Sequence, residues 1–251
     1  MTAFDQTSLV ATFLIFCRIG ACLSLAPGLS TPRIPMRARL LASLAVTLAL
    51  APALIGRARA AASPESPADL VLAIGAEFLI GATLGLLVRF MLAALETLTA
   101  AAAMTIGMSS IFMQRIDEND TLPDLASFVT LAATTLFFVT NQHFEILRAL
   151  ADSYGPYPVG ALLDIGRGLD RLTGTLGAAF LLALRLTSPL LMFGLIANIA
   201  FALINKIAPQ IAIYFVSTPF VLLGGLVVAY ATMDTALPLF MQAIAALIAR
   251  G

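Results

Sequence analysis

Arg18, Glu77, Arg89 and Arg185 stand inside strongly apolar stretches of the chain, with Glu96 and Lys206 nearer the ends of theirs. A charge at the centre of a bilayer costs about 2.5–3.5 kcal/mol on insertion scales, so each such residue calls for a partner, a wet lumen or a function. The most demanding function is an ion relay, in which a secondary transporter uses a buried carboxylate; Glu77 is the residue placed for it, without a companion acid or histidine. The alternatives are that Arg18 pairs with an acid such as Glu77 to fix helix register, or that both line a watery lumen. Arg89 and Glu96 share nearly one helical face, but seven residues separate them by about 10 Å along the axis, too far for direct pairing.

Other chemistry finds little footing. His143 is the single histidine. Glu145, two positions on, points elsewhere on a helix, so the two do not form a metal pair. Cys17 and Cys22 lie in an apolar run, where thiols behave as small hydrophobes; neither a disulfide framework nor a thiolate zinc site is expected. No GxSxG nucleophile turn is present, and GRGLDR at 166–171 lacks the third glycine and the preceding strand of a dinucleotide fold. The residues point away from an enzyme, and no metal or cofactor is expected. With 14 basic and 14 acidic residues the chain carries no net charge, so no nucleic-acid partner is expected either.

The elements that must position these residues are apolar helices. Hydrophobic residues make up 60% of the chain and charged ones 11%, against about 45–50% and about 25% in globular proteins. A spanning helix needs about 20 mostly apolar residues. Six stretches meet or approach that length, near 8–26, 40–55, 70–95, 125–141, 176–205 and 211–232, with a shorter apolar helix near 236–249. Pro27, Pro32 and Pro35 end the first, and RARAAASPESP at 57–67 separates the second from the third. A longer break is expected from about 97 to 124, where TAAAAMTIGMSSIFM, whose first part is compatible with helix, leads into QRIDENDTLPD, the most acidic stretch and expected to be solvated. Asn141 to Leu150 is expected to prolong the fourth helix. After the SYGPYP turn, Val159–Leu172 reads as a separate amphipathic interfacial helix. The first helix lacks a basic leader and carries Arg18, so it is expected to be retained. Basic residues divide six against five between the two sides of a six-span arrangement (Arg57, Arg59, Arg148, Arg167, Arg171 and Arg250 against Arg33, Arg37, Arg39, Arg115 and Lys206), too even to orient it.

Small and breaking residues are more informative. Gly81 and Gly85 form a GxxxG pair that lets helix backbones approach closely in lipid. Pro189 and Pro219 interrupt the last two long segments and are expected to kink them. In GMSSIFM at 107–113, Gly107, Met108, Phe112 and Met113 offer either core filling or an adaptable seal that re-packs around a passing chain.

Four segments then combine: FLIFCRIGACLSLAPGLS leading into IPMRARLLASLAVTLALAP, GAEFLIGATLGLLVRF, GMSS, and NKIAPQIAIYFVSTPFVLLGGLVV. Together they resemble the FliR/SctT family of type III secretion export-gate subunits over nearly the whole chain. Lys206 stands where the family more often has arginine, and QRIDEND where many members have a short Asp-Pro turn. The resemblance implies an all-α membrane protein of about six long, partly kinked hydrophobic helices, arranged as hairpins within a helical multi-subunit export gate. It implies one polytopic module over 1–251, with about 1–150 FliP-like and about 175–251 a FliQ-like helical hairpin. A structural, non-enzymatic subunit of the flagellar gate in the bacterial inner membrane and basal body is implied, with FliP-type, FliQ-type and FlhB-type subunits and rod components as partners. Unfolded flagellar polypeptides would pass through it. Carried onto this chain, the resemblance makes the GMSS loop with Phe112 and Met113 a candidate pore plug. Lys206, Pro209 and Gln210 become a candidate turn facing the entrance or a neighbour, and Arg18, Glu77 and Arg185 remain candidate intersubunit or lumen contacts.

Overall fold

The computed structural model describes residues 6–31, 34–58, 66–108, 124–160, 165–209 and 213–249, leaving the side chains of 124, 165, 167, 213, 214 and 249 aside. These residues form seven helices and no strand: α1 (Gln6–Leu25), α2 (Met36–Ala58), α3 (Pro67–Thr105), α4 (Asp124–Val139), α5 (Gln142–Asp152), α6 (Ile165–Ile207) and α7 (Ile213–Ala249). Helices α1, α2, α3, α6 and α7 are each long and apolar enough to cross a membrane, and α4 with α5 makes a sixth if that bent pair is one span. This is an all-α membrane protein.

Three expected boundaries are corrected. The fourth helix does not continue from 141 to 150; it breaks at Thr140–Asn141, where α4 and α5 meet at 66°. Asn141 takes the left-handed conformation, φ 60° and ψ 20°, which asparagine tolerates better than other residues with a Cβ. Asn141→Gly is therefore expected to hold or raise the thermal midpoint in detergent, followed by circular dichroism. Asn141→Val is expected to cost about 1–2 kcal/mol, a fall of several degrees.

The amphipathic stretch at 159–172 is not a separate helix: its described part from Ile165 onward is the start of α6, which runs on to Ile207. Gly174 and Gly177, with nothing within 4 Å of an added Cβ, do not stop it, because an isolated glycine costs a helix about 1 kcal/mol without ending it. The stretch near 236–249 is likewise the end of α7, continuous from Ile213 and carrying Pro238 within it. MDTAL at 233–237 offers no residue that stops a helix.

Helices α6 and α7 also pass through Pro189 and Pro219 without ending. Proline at 189 removes the bond to the carbonyl of Arg185, and the Ser188 hydroxyl donates to that same oxygen at 2.8 Å. A side chain thus replaces the missing backbone donor.

The chain divides into two compact units. One comprises Met1–Phe90, Thr140–Thr175 and Ile244–Gly251; the other comprises Met91–Val139 and Leu176–Ala243. In the first, α1 buries Ala11, Leu14, Ile15, Arg18, Ile19 and Cys22 at helical spacing, and α2 buries Ser43, Thr47, Ala51, Leu54 and Ala58. The inward stripe of α2 begins small and hydroxylated, and its hydroxyls bond within the helix, Ser43 to the Arg39 carbonyl and Thr47 to that of Ser43. Leu40, Leu41, Leu44 and Leu48 face outward. That inversion of a soluble helix fits packing in lipid, where small residues bring backbones together and leucines need no shelter.

In the second unit α6 and α7 form an antiparallel hairpin. Phe193 meets Gly224, and the rings of Phe201 and Phe220 stand edge to face with centroids 5.6 Å apart. Between them sits a core of Ala102, Ala103, Ile106, Met108, Leu125, Leu190, Ala197 and Val221.

Candidate functional site

The first unit is organised around one buried charge pair. Along α3, Glu77, Gly81 and Gly85 follow at four-residue intervals and so share a face. A Cβ on Gly81 would strike the carbonyl oxygen of Arg18, and one on Gly85 would lie 2.6 Å from that of Cys22. Only glycine lets α3 lie so close upon α1. That contact, one turn beyond Glu77, brings its carboxylate onto the guanidinium of Arg18: Nε to Oε2 at 2.7 Å and Nη2 to Oε1 at 2.9 Å. Both side chains are fully buried.

Further partners for the pair come from the turn after α5. Arg18 Nη1 donates to Ser153 Oγ at 3.1 Å and Nη2 to the Tyr157 carbonyl at 3.0 Å. Ser153 in turn donates to the Leu150 carbonyl at 2.6 Å. The Gly160 amide donates to Glu77 Oε1 at 3.1 Å, from a residue at φ 78° that suits glycine. The Tyr154 ring lies against the guanidinium, its centroid 3.9 Å from Cζ. Burial raises the pKa of the Tyr154 phenol above its ordinary range, opposed by the Arg18 charge and reinforced by Glu77 and Cys17. The node is electrically closed: one cation, one anion and hydrogen-bonded backbone. Chemically it can hold α1, α3 and the 153–160 turn in one register. A residue that must take up and release ions needs access that this carboxylate lacks.

A second arrangement occupies the end of α3, within the second unit. Gly107 ends the helix at φ 83°, its amide donating to the Met104 carbonyl at 3.1 Å, and Met108 turns back into the core, 8% exposed. The Thr105 hydroxyl donates to the Ala102 carbonyl at 2.7 Å, and the Thr105 carbonyl accepts from Asn198 Nδ2 on α6 at 2.8 Å. Of the candidate plug residues, Gly107 and Met108 are therefore placed, whereas Phe112 and Met113 lie outside the described residues.

The other candidates are scattered. Arg185 is exposed on α6, Lys206 is exposed in its last turn, and Pro209 is exposed just beyond; Gln210 lies outside the described residues. Arg89 is exposed and Glu96 half-buried. The His143 ring packs on that of Phe144 with centroids 4.2 Å apart, and Glu145 pairs with Arg148 at 3.2 Å on the surface. Among the described residues no three His, Cys, Asp or Glu side chains gather as a metal site. A cavity of about 50 Å³ in the second unit, bounded by Leu95, Leu125, Leu190, Met233 and Phe240, is mostly apolar; Thr187 and Thr232 also line it, with hydroxyls bonded to carbonyls of their own helices.

Sequence reasoning missed Ser153, Tyr157, Gly160, Thr105 and Asn198. Tyr157 and Thr105 act through carbonyls and Gly160 through its amide, groups every residue carries, so side-chain type gave no signal. Asn198 did carry one: an amide within an apolar helix seeks an interhelical partner.

Comparison with known proteins places these features in a family. Residues 9–247 match the family described as bacterial export proteins, family 1. The chain is similar to the flagellar biosynthetic protein FliR of Escherichia coli (strain K12), 29% identical over 224 residues that cover 88% of this chain and 83% of that one. The FliR proteins of Caulobacter vibrioides and Pectobacterium carotovorum are each 27% identical, over 85% and 94% of this chain and 84% and 88% of their own. With all but its ends matched, this helical membrane chain belongs to the bacterial export proteins, family 1.

Proposed function

We propose that the protein is a structural, non-enzymatic core subunit of the flagellar type III export gate in the bacterial inner membrane and basal body. It forms and seals part of the pore through which unfolded flagellar subunits leave the cell. The observation that carries this reading is the match of residues 9–247 to an export family, joined to relatives that are all flagellar FliR proteins.

The geometry supports an assembling subunit. Only 17% of the apolar window of α6, and the same of α7, is buried, against 44% for α1 and for α3. Ile196, Ile199, Leu203, Phe215, Phe220 and Val227 therefore remain for lipid or neighbours. FliP-type and FliQ-type subunits are the proposed neighbours, with a FlhB-type subunit at the entrance and rod components beyond. The α6–α7 hairpin serves as the FliQ-like part over about 175–251, and about 1–150 as the FliP-like part. Residues 107–113 are the proposed plug; Arg185, Lys206, Pro209 and Gln210 are proposed contacts to neighbours or lumen. Glu77, on which a transporter would depend, is buried and already neutralised by Arg18.

Affinity purification of the tagged chain from mild-detergent membranes is expected to carry FliP-type and FliQ-type proteins with it, and recovery of a clean monomer would sink the assembly. Deleting 107–113 in the assembled gate is expected to raise small-solute leak, whereas unchanged permeability would remove the plug.

A further inference from the structure

We infer that Asn198 is a positioning residue for the gate, holding the point at which the chain leaves α3; the inference rests on the reading of 107–113 as the seal. The last four carbonyls of any helix lack an intrahelical partner, and in an apolar surrounding each unmet one is costly. At the end of α3 the Ala102 carbonyl receives the Thr105 hydroxyl and the Ile106 amide, and that of Met104 receives the Gly107 amide. The Thr105 carbonyl, last in the helix, is met from another helix by Asn198 Nδ2 at 2.8 Å.

Two glycines make that reach available. A Cβ on Gly194, one turn before Asn198, would run into the Thr105 side chain, and one on Gly225 of α7 would lie 2.7 Å from Ile106 Cγ2. The last turn of α3 is therefore seated between α6 and α7 with backbone against side chain. Leu190, Ala197 and Val221 close the core around Ile106 and Met108. Asn198 is itself exposed, on a helix whose neighbours Leu195, Ile196 and Ile199 are exposed and apolar. Its amide is a directed polar contact on an otherwise greasy face, and it is directed at the take-off point. The chain leaves α3 through Gly107, where φ is 83°.

The test uses the full chain assembled in native membranes, with Cys17→Ala, Cys22→Ala and Met108→Cys, and reads maleimide labelling at position 108. Labelling is expected to be slow with Asn198 in place. It should rise about tenfold in Asn198→Ala and in Asn198→Asp, which keeps the shape but loses the donor. Asn198→Gln, which retains a donor, is expected to stay within about threefold of the parent, a rescue that simple space-filling does not predict. Should Met108→Cys fail to assemble, amide hydrogen exchange over 102–107 reads the same opening in the otherwise native chain. Unchanged labelling and exchange in the Ala and Asp variants overturn the inference. With labelling raised and co-purification of the gate intact, small-solute leak is expected to rise as well. If leak stays flat while deletion of 107–113 does leak, Asn198 does not position the seal and the inference falls. If neither leaks, the clamp stands and the plug reading is what fails.

Discussion

Arg18→Met is expected to destabilise the first unit by roughly 3–5 kcal/mol, the cost of leaving one member of a buried ion pair without its partner. The substitution keeps an unbranched apolar stem of similar length but removes the guanidinium and its donors from the centre of the node. Glu77 then holds a carboxylate with no counter-charge at a fully buried site, relieved only by the Gly160 amide. Ser153 Oγ and the Tyr157 carbonyl lose their donors as well. Folded chain in the membrane should fall severalfold, and the thermal midpoint in detergent should drop by about ten degrees or more. Circular dichroism is the suitable readout, since the chain has no tryptophan. A midpoint within a degree or two of the parent would mean that water or a neighbouring subunit already compensates the pair.

The companion variants decide between a lock and a relay. Glu77→Gln leaves Arg18 charged and buried, so it should be nearly as harmful to folding as Arg18→Met. A transporter carboxylate would instead lose uptake while assembly survived. The double variant Arg18→Met, Glu77→Leu removes both charges together and is expected to be less damaging than the sum of the singles, with a coupling of about 2 kcal/mol or more. It should not return to the parent level, because the half-buried Tyr157 carbonyl and Gly160 amide then lose their partners.

How far this architecture could be read in advance depends on which part of each residue does the work. Arg18 and Glu77 announced themselves as charges in apolar stretches, and pairing between them was one of the readings their positions allowed. Gly81 and Gly85 announced a close helix contact through their spacing. The α4–α5 break was not legible, because Asn141 bends the chain by taking positive φ with no proline or glycine beside it. The joins at 165–175 and 233–237 were misread because the amphipathic pattern of 159–172 and the shortness of the stretch at 236–249 suggested separate helices where one helix simply continues. Ser153, Tyr157 and Gly160 reach the ion pair from the 153–160 turn, and a turn's place over two distant helices follows from tertiary packing alone.

Gly81→Ala should test that dependence from the opposite direction, with no charge altered. In a helix interior alanine is favoured over glycine by about 1 kcal/mol, so a glycine without a packing role becomes more stable on substitution. Gly75 supplies the control on the same helix: an added Cβ there meets nothing within 4 Å, and Gly75→Ala is expected to leave the midpoint unchanged or raise it. At Gly81 the added methyl meets the backbone carbonyl of Arg18, which cannot rotate away as a side chain would. Either α3 withdraws from α1, or α1 shifts and takes the guanidinium with it. Both lengthen the contacts between Arg18 and Glu77, now 2.7 and 2.9 Å, and overpacking of this kind costs about 1–3 kcal/mol before any loss at the ion pair. Gly81→Ala is therefore expected to fall below Gly75→Ala by about 3 kcal/mol or more. In the background of Arg18→Met, Glu77→Leu the same substitution should cost less, since only the packing penalty remains. Equal costs in both backgrounds would show that α1 and α3 hold their spacing independently of the charges, and that the glycine pair does not set the geometry of the node.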